Sequence, residues 1–329
     1  MTMLPNATFS APTLGLGLAA LGRPGYINLG HGDDLGRTYA VAAMAQQAHA
    51  VLDAAWAQGI RYFDAARSYG RAEAFLGDWL RTRAINPQDV VIGSKWGYTY
   101  TANWQVVADK HEVKEHSLLV LQRQWQESQH HLAGYLRLYQ IHSATLDSGV
   151  LSNSAVLAEL AALKAQGVMI GLSLSGPQQA ATLDRALTVT VAGVRLFDAV
   201  QATWNLLEQS TTASLQQAHA LGLMVIVKEA LANGRLTLRN RAPAFAVQLA
   251  LLQTTATRLN TTVDALALAV VLAQPWVTIV LSGATTVEQL LANVKARAVS
   301  LDEETLAALA PLVETPAAYW ATRSALAWN

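Results

Sequence analysis

Residues 90–95 read VVIGSK, a β-branched apolar run that stops on a lysine. The same grammar recurs at 61–64, RYFD, which stops on Asp64, and at 136–142, LRLYQIH, which stops on His142. Packing alone does not ask for an ionisable residue at the end of a buried strand. In parallel barrels, that end is where chemistry collects. Working outward, further short apolar runs read as strands at 13–18, 169–174, 199–203, 224–229 and 277–282, which makes eight. Amphipathic helices lie between them. Val41, Met44, Ala48, Val51, Leu52 and Ala55 recur at helical spacing, as do Val263, Leu266, Ala267, Val270 and Val271, and Val287, Leu290, Leu291 and Val294. Thr285 with Glu288 and Ser300 with Glu303 read as capping boxes at two helix starts.

Strand followed by helix, eight times, argues for a parallel sheet. An open doubly wound sheet would satisfy the pattern. The 329-residue length favours a closed (β/α)8 TIM barrel, and no Gly/Ser/Pro-rich linker divides the chain, so 1–329 reads as one domain. Two stretches exceed a βα unit, 96–115 and 233–260. The second is expected to hold an extra helix near the C-terminus. The tail 316–329, with Tyr319, Trp320 and Trp328, is expected to pack on the barrel mouth or rim.

Composition narrows the function classes. With 52% hydrophobic and 14% charged residues the chain is not disordered. Lys plus Arg is 23 and Asp plus Glu is 23, so no basic surplus exists to displace counterions, and nucleic acid is not expected as a partner. There is no cysteine for a disulfide, a thiolate metal site or a nucleophile. The first arginine is Arg23, so a secretory signal is not expected, and the longest apolar stretch, 265–273, is about half a membrane span. A cytoplasmic protein is the resulting expectation. Oligomeric state is not readable.

The strand ends, in order, are Gly17, Asp64, Lys95, His142, Ser173, Gln201, Lys228 and Ser282, and Tyr69 follows Asp64 by five residues. Singly, each has an ordinary reading. Asp64 would cap a helix, Tyr69 would half-fill a core, Lys95 would be solvated and His142 would be a hydrogen-bonded packing residue. Together, an acid, a phenol, an ammonium and an imidazole suit proton transfer to a carbonyl oxygen as hydride reaches the carbon. A free phenol titrates near ~10, and a neighbouring ammonium favours its ionised form.

At these residues the chain resembles the aldo-keto reductase family. FDAARSYGRAE is similar to that family's Asp-x-x-x-x-Tyr-Gly signature, GSKWG to its lysine strand end and YQIH to its histidine strand end. The resemblance implies a barrel that binds a nicotinamide cofactor across its mouth and interconverts a small carbonyl and an alcohol. It implies Tyr69 as general acid–base, Lys95 lowering its pKa, Asp64 pairing with Lys95, and His142 orienting the carbonyl. It further implies Gly17, Leu18 and Ala19 at the nicotinamide ribose and Ser173 and Gln201 at the carboxamide. Leu231, Asn233, Gly234 and Arg235 fall at the pyrophosphate, and Ser282, Gly283, Ala284, Thr285, Gln289 and Asn293 at the adenosine.

Two positions depart from the family pattern. Leu174 stands where asparagine is usual, and Lys228 where an aromatic residue stacks on the nicotinamide. A cation facing an oxidised ring is unfavourable, so Lys228 is expected to point away, to pair with Glu229, or to reach phosphate or substrate. NADP(H) is favoured slightly over NAD(H) by family habit, with Ser282, Thr285, Thr286, Gln289 and Arg235 as small or basic partners for a 2′-phosphate, although Gly283 and Gln289 replace basic residues. Tyr26, Trp96, Tyr98 and Trp204 are candidate substrate walls. Arg67 reads as an anion contact or a surface ion pair.

Three rivals compete. HEVKEH at 111–116 invites a zinc reading, but its histidines stand five apart and diverge on a helix, so no metal is expected. GLSLSG at 171–176 lacks the final glycine of a nucleophile elbow. A catalytically quiet, nucleotide-binding barrel acting as a redox-sensing partner is the remaining alternative.

Overall fold

The computed structural model describes Phe9 and residues 11–329. The barrel strands are β1 (Thr13–Gly17), β2 (Tyr62–Asp64), β3 (Val91–Trp96), β4 (Leu136–Ala144), β5 (Met169–Leu174), β6 (Ala199–Thr203), β7 (Met224–Lys228) and β8 (Ile279–Ser282). Each is parallel to its neighbours in sequence order, and β8 closes on β1, which excludes the open sheet. All eight stand where the apolar runs placed them, with ends shifted by up to two residues. β8 starts late because Val277 still donates to Gln274 O (3.1 Å) in the preceding turn.

Besides a one-turn helix at His31–Asp34, the helices are α1 (Val41–Ala57), α2 (Ala72–Thr82), α3 (Leu118–Leu132), α4 (Ser154–Ala165), α5 (Gln179–Leu187), α6 (Thr212–Ala220), α7 (Ala246–Arg258), α8 (Val263–Leu272), α9 (Val287–Val294), α10 (Glu303–Leu309) and α11 (Pro316–Ser324). In α1, Met44, Ala48, Val51, Leu52 and Ala55 are buried, as their spacing asks. α8 is apolar on every side from Ala265 to Val271, and so needs cover on its outer face as well. The extra helix α7 packs there.

Both expected capping boxes are displaced. Thr286, not Thr285, caps α9 by accepting from Gln289 N (3.2 Å), and Asp302, not Ser300, caps α10 by accepting from Thr305 N (2.7 Å). Thr286 and Asp302 have the extended backbone an N-cap needs, and the Thr285 hydroxyl is drawn into a tertiary contact instead.

The barrel interior is filled below its mouth. Tyr62, Val91, Leu138, Ile226 and Ile279 pack there. A Cβ at Gly93 would meet the Tyr62 hydroxyl at 2.5 Å, so glycine admits the ring. Tyr62 thereby forms a floor whose hydroxyl points up at Asp64 (3.1 Å). The stretch 96–115 forms an antiparallel hairpin, Tyr98–Tyr100 with Glu112–Lys114. HEVKEH therefore lies largely on a strand, not a helix. His111 engages Val106 O (2.9 Å) and His116 engages His142 O (2.9 Å). No helix among the described residues is long and apolar enough to cross a membrane.

Candidate active site

The signature turn follows from local geometry. After β2, Arg67 N donates to Lys95 O (3.0 Å) and Tyr69 N to Ala66 O (3.1 Å), which folds the chain back over the strand ends. Gly70 adopts φ +58, and a Cβ there would meet Gly22 O at 2.4 Å, so the residue after the tyrosine must be glycine. Beneath the turn, Lys95 Nζ pairs with Asp64 Oδ1 and donates to Ala65 O (3.1 Å). Asp64 also accepts from Gln201 Nε2 (2.9 Å) and Gln140 Nε2 (3.3 Å). Neither member of this ion pair is more than 2% exposed.

The Tyr69 hydroxyl stands 3.4 Å from His142 Nε2, with the rings edge to face. His142 is delivered by an irregularity in β4, where the register slips between Ile141 and Ala144 and Ser143 takes φ +52. Lys95 Nζ lies 4.9 Å from the Tyr69 ring centroid and the Arg23 guanidinium 5.2 Å. Burial, and then the Asp64 carboxylate, push the Tyr69 phenol well above its ordinary value, with Arg23 opposing them. The sequence reading expected Lys95 to lower it. Asp64 holds the ammonium so closely that the pair presents little net charge. Burial, with Lys95 and Arg23 adding to it, pushes His142 well below its usual range, so its ring is neutral at pH 7.

A cleft of about 620 Å³ opens above this cluster. It gathers Asp64, Tyr69 and His142, while Lys95 lies behind them. It also gathers Gly17, Ala19, Gln201, Lys228, Leu231, Asn233, Gly234, Ser282, Gly283, Ala284, Gln289, Asn293 and Tyr26. Four of the residues expected at a cofactor are elsewhere. Leu18 is core, and Ser173 Oγ accepts from Ser143 N (2.8 Å). Arg235 pairs with Glu314 (3.2 Å), and the Thr285 hydroxyl donates to Asp34 (3.1 Å). Trp96 and Trp204 are also off the cleft. Successive strand residues face opposite ways, so the inward Lys95 sends Trp96 outward, edge-on to His116 at 5.5 Å. Trp204 donates to Thr212 (2.9 Å) and packs on Trp276. Leu174 is likewise buried in the outer layer. Arg67 pairs with Glu73 and Glu127 rather than facing the cleft.

Arg23, which lines the cleft, carried no sequence signal for it. Arg23 is 3% exposed and lies between Tyr26 (5.0 Å) and Trp328 (4.8 Å), paired with Glu112 (2.9 Å). Lys228 donates to Thr203 Oγ1 (2.8 Å) and lies 3.7 Å from Glu229, so it does pair with its neighbour. Glu229 is mainly engaged by Arg323, whose Nε is 3.0 Å from both oxygens. Burial lowers Lys228 to about 8, with Glu229 opposing. Glu229 is depressed to about 2 because Arg323 and Lys228 outweigh its burial.

A closed parallel barrel with a tyrosine, a histidine and a buried Asp–Lys pair at its mouth defines a class, and the sequence comparison agrees. The chain belongs to the aldo/keto reductase family, whose sequence profile matches residues 14–314. It is 26% identical over 320 residues to an aldo-keto reductase of Strobilurus tenacellus, covering 91% of this chain and 87% of that one. Over 87 residues it is 46% identical to a pyridoxal 4-dehydrogenase of Microbacterium luteolum, a quarter of each protein (25% and 24%). Its fold is similar to the holo form of an aldo-keto reductase from Bacillus halodurans, with TM-score 0.69 at 20% identity over 92% of each chain.

Proposed function

We propose that the protein is a nicotinamide-dependent oxidoreductase that interconverts a small aldehyde, ketone or sugar carbonyl and its alcohol, with Tyr69 as the proton carrier. The observation that carries this reading is the 3.4 Å approach of the Tyr69 hydroxyl to His142 Nε2 at the closed end of the cleft, above a buried Asp64–Lys95 pair. The cleft suits a dinucleotide. Gln201 Oε1 and Asn233 Oδ1 are buried lining atoms without a partner, and each would accept an N–H or O–H. A Cβ added at Gly283 would find no atom closer than Asn28 Nδ2 at 4.0 Å, so backbone there is open to a ligand. A bound nicotinamide would supply or take the hydride.

The chain's own residues handle the proton. A phenol held well above its usual range is fully protonated at neutral pH, so Tyr69 enters reduction as an acid. Ser68 Oγ lies 3.4 Å from His142 Nδ1, and in the tautomer where it donates to that nitrogen Nε2 would carry its hydrogen toward the oxygen to be protonated. Arg23, 5.2 Å from the ring centroid, is the cation that opposes the upward shift of the phenol and would stabilise the phenolate that remains. Tyr26 and Trp328, with Arg23 between them, would form the substrate wall. We take 1–329 to be one domain in this role. The relative named as a pyridoxal dehydrogenase makes an aromatic aldehyde a reasonable first substrate to try. Tyr69→Phe is expected to lower kcat by about 10²–10⁴-fold and to leave cofactor Kd unchanged. Near-normal turnover in that variant would overturn the assignment.

A further inference from the structure

With the nicotinamide at Tyr69, the second nucleotide must occupy the other arm of the cleft, between the end of β8, the start of α9 and the loop after β7. The sequence offered five residues there as partners for a 2′-phosphate, and the structure finds all five engaged within the protein. Ser282 Oγ accepts from Asn293 Nδ2 (2.9 Å). Thr286 Oγ1 caps α9, Gln289 Oε1 accepts from Thr285 N (2.9 Å), and Arg235 is paired with Glu314. The Thr285 hydroxyl lies 3.0 Å from Gln289 Oε1 and 3.1 Å from a carboxylate oxygen, Asp34 Oδ2.

That carboxylate lines the same arm, and its side chain is 10% exposed. It also engages both terminal nitrogens of Arg239, with Nη1 at 2.6 Å from Oδ2. Gln47 fixes the arrangement by donating to Asp34 O (3.2 Å) and Thr285 O (2.7 Å). Asp264 lines this arm too, so two carboxylates face one guanidinium.

We propose that Asp34 makes this arm select a free ribose diol, so that the protein binds NAD(H) in preference to NADP(H). A carboxylate accepts from ribose hydroxyls. It repels a phosphate dianion, and here it already holds the arginine and the hydroxyl that a phosphate would need. A repulsive charge set against the wrong ligand adds to the discrimination that a missing contact gives. The inference rests on the nicotinamide reading above and reverses the family-based lean to NADP(H).

The test is fluorescence titration of NADH and NADPH, separately, into the wild type, Asp34→Asn and Arg239→Met. The wild type should bind NADH at least ten-fold tighter. Asp34→Asn removes the charge and releases Arg239, so the preference should shrink at least ten-fold toward NADPH. Arg239→Met leaves the carboxylate uncompensated and should widen the preference. A purely structural clasp would move both cofactors together in both variants, and that result overturns the proposal. So does a wild type that binds NADPH as tightly as NADH. If neither cofactor binds the wild type, the dinucleotide reading itself falls and this inference with it.

Discussion

Removing the Lys95 ammonium tests whether the Asp64–Lys95 pair is an ion pair that the fold must accommodate. Lys95→Met preserves length and apolar stem but leaves a carboxylate 2% exposed without its cation. Breaking a buried pair by deleting one partner costs about 3–5 kcal/mol. Asp64 retains three neutral donors, the Tyr62 hydroxyl at 3.1 Å, Gln201 at 2.9 Å and Gln140 at 3.3 Å, which sets the expectation at the lower end, about 3 kcal/mol. Adding Asp64→Asn removes the stranded charge and keeps an acceptor oxygen for those donors. The double variant should therefore recover about 2 kcal/mol relative to Lys95→Met alone, and subtracting the cost of Asp64→Asn alone gives the coupling energy of the pair. Urea unfolding followed by tryptophan fluorescence at pH 7 measures all four species of the cycle. Turnover should stay lost in every variant, because stability and proton transfer need different things from the pair. A double variant no more stable than Lys95→Met alone would refute the charged-pair reasoning.

Two further predictions follow from the cleft and its surroundings. Lys228 is charged below about pH 8 and neutral above it. The Kd of the oxidised cofactor should therefore fall as pH rises through about 8, while that of the reduced cofactor stays level. Lys228→Met should abolish the slope, and a slope that survives would assign it to another group. Glu73 is 1% exposed and accepts from Arg67 (2.5 Å), Ser94 (2.5 Å) and Ser128 (2.7 Å) outside the cleft. Glu73→Ala should cost about 3 kcal/mol of stability by chemical denaturation yet leave cofactor Kd unchanged. A shifted Kd would place this network in the binding site.

The barrel was legible because its signals are local. Strand runs such as VVIGSK carry their own period, and the polar residue at each end marks the mouth. The four residues of the proposed reaction centre were readable for the same reason, since three close an apolar run and Tyr69 lies in the turn after one. Trp96 and Trp204 were misplaced by ignoring that period, since an inward Lys95 already implies an outward Trp96. Asp34 carried no such mark. It ends the one-turn helix His31–Asp34, and its partners Arg239 and Thr285 are 205 and 251 residues away. Glu229 was visible as a neighbour of Lys228, but its main partner, Arg323, is 94 residues away. Long-range ion pairs leave no periodic trace, because a single charged loop residue has many candidate partners and only the folded chain selects one.

The charges of the cleft divide unevenly between its two arms, and that division bears on both cofactor properties at once. At the reaction end, Lys95 is matched by Asp64 and Arg23 by Glu112, while Lys228 and Arg323 share Glu229. One positive charge is left over at this end, which would favour a neutral dihydronicotinamide over its oxidised cation. At the far end Asp34 and Asp264 face Arg239, and the surplus is negative, which favours a ribose without phosphate. An exposed pair would be screened and contribute little. Lys228, Glu229 and Asp34 are mostly buried, so their charges act at short range in a medium less polar than water. On the proposed dinucleotide reading, the two surpluses together would favour binding of the reduced, unphosphorylated cofactor. Because Lys228 and Asp34 sit on opposite arms without a shared partner, their effects on cofactor affinity should add.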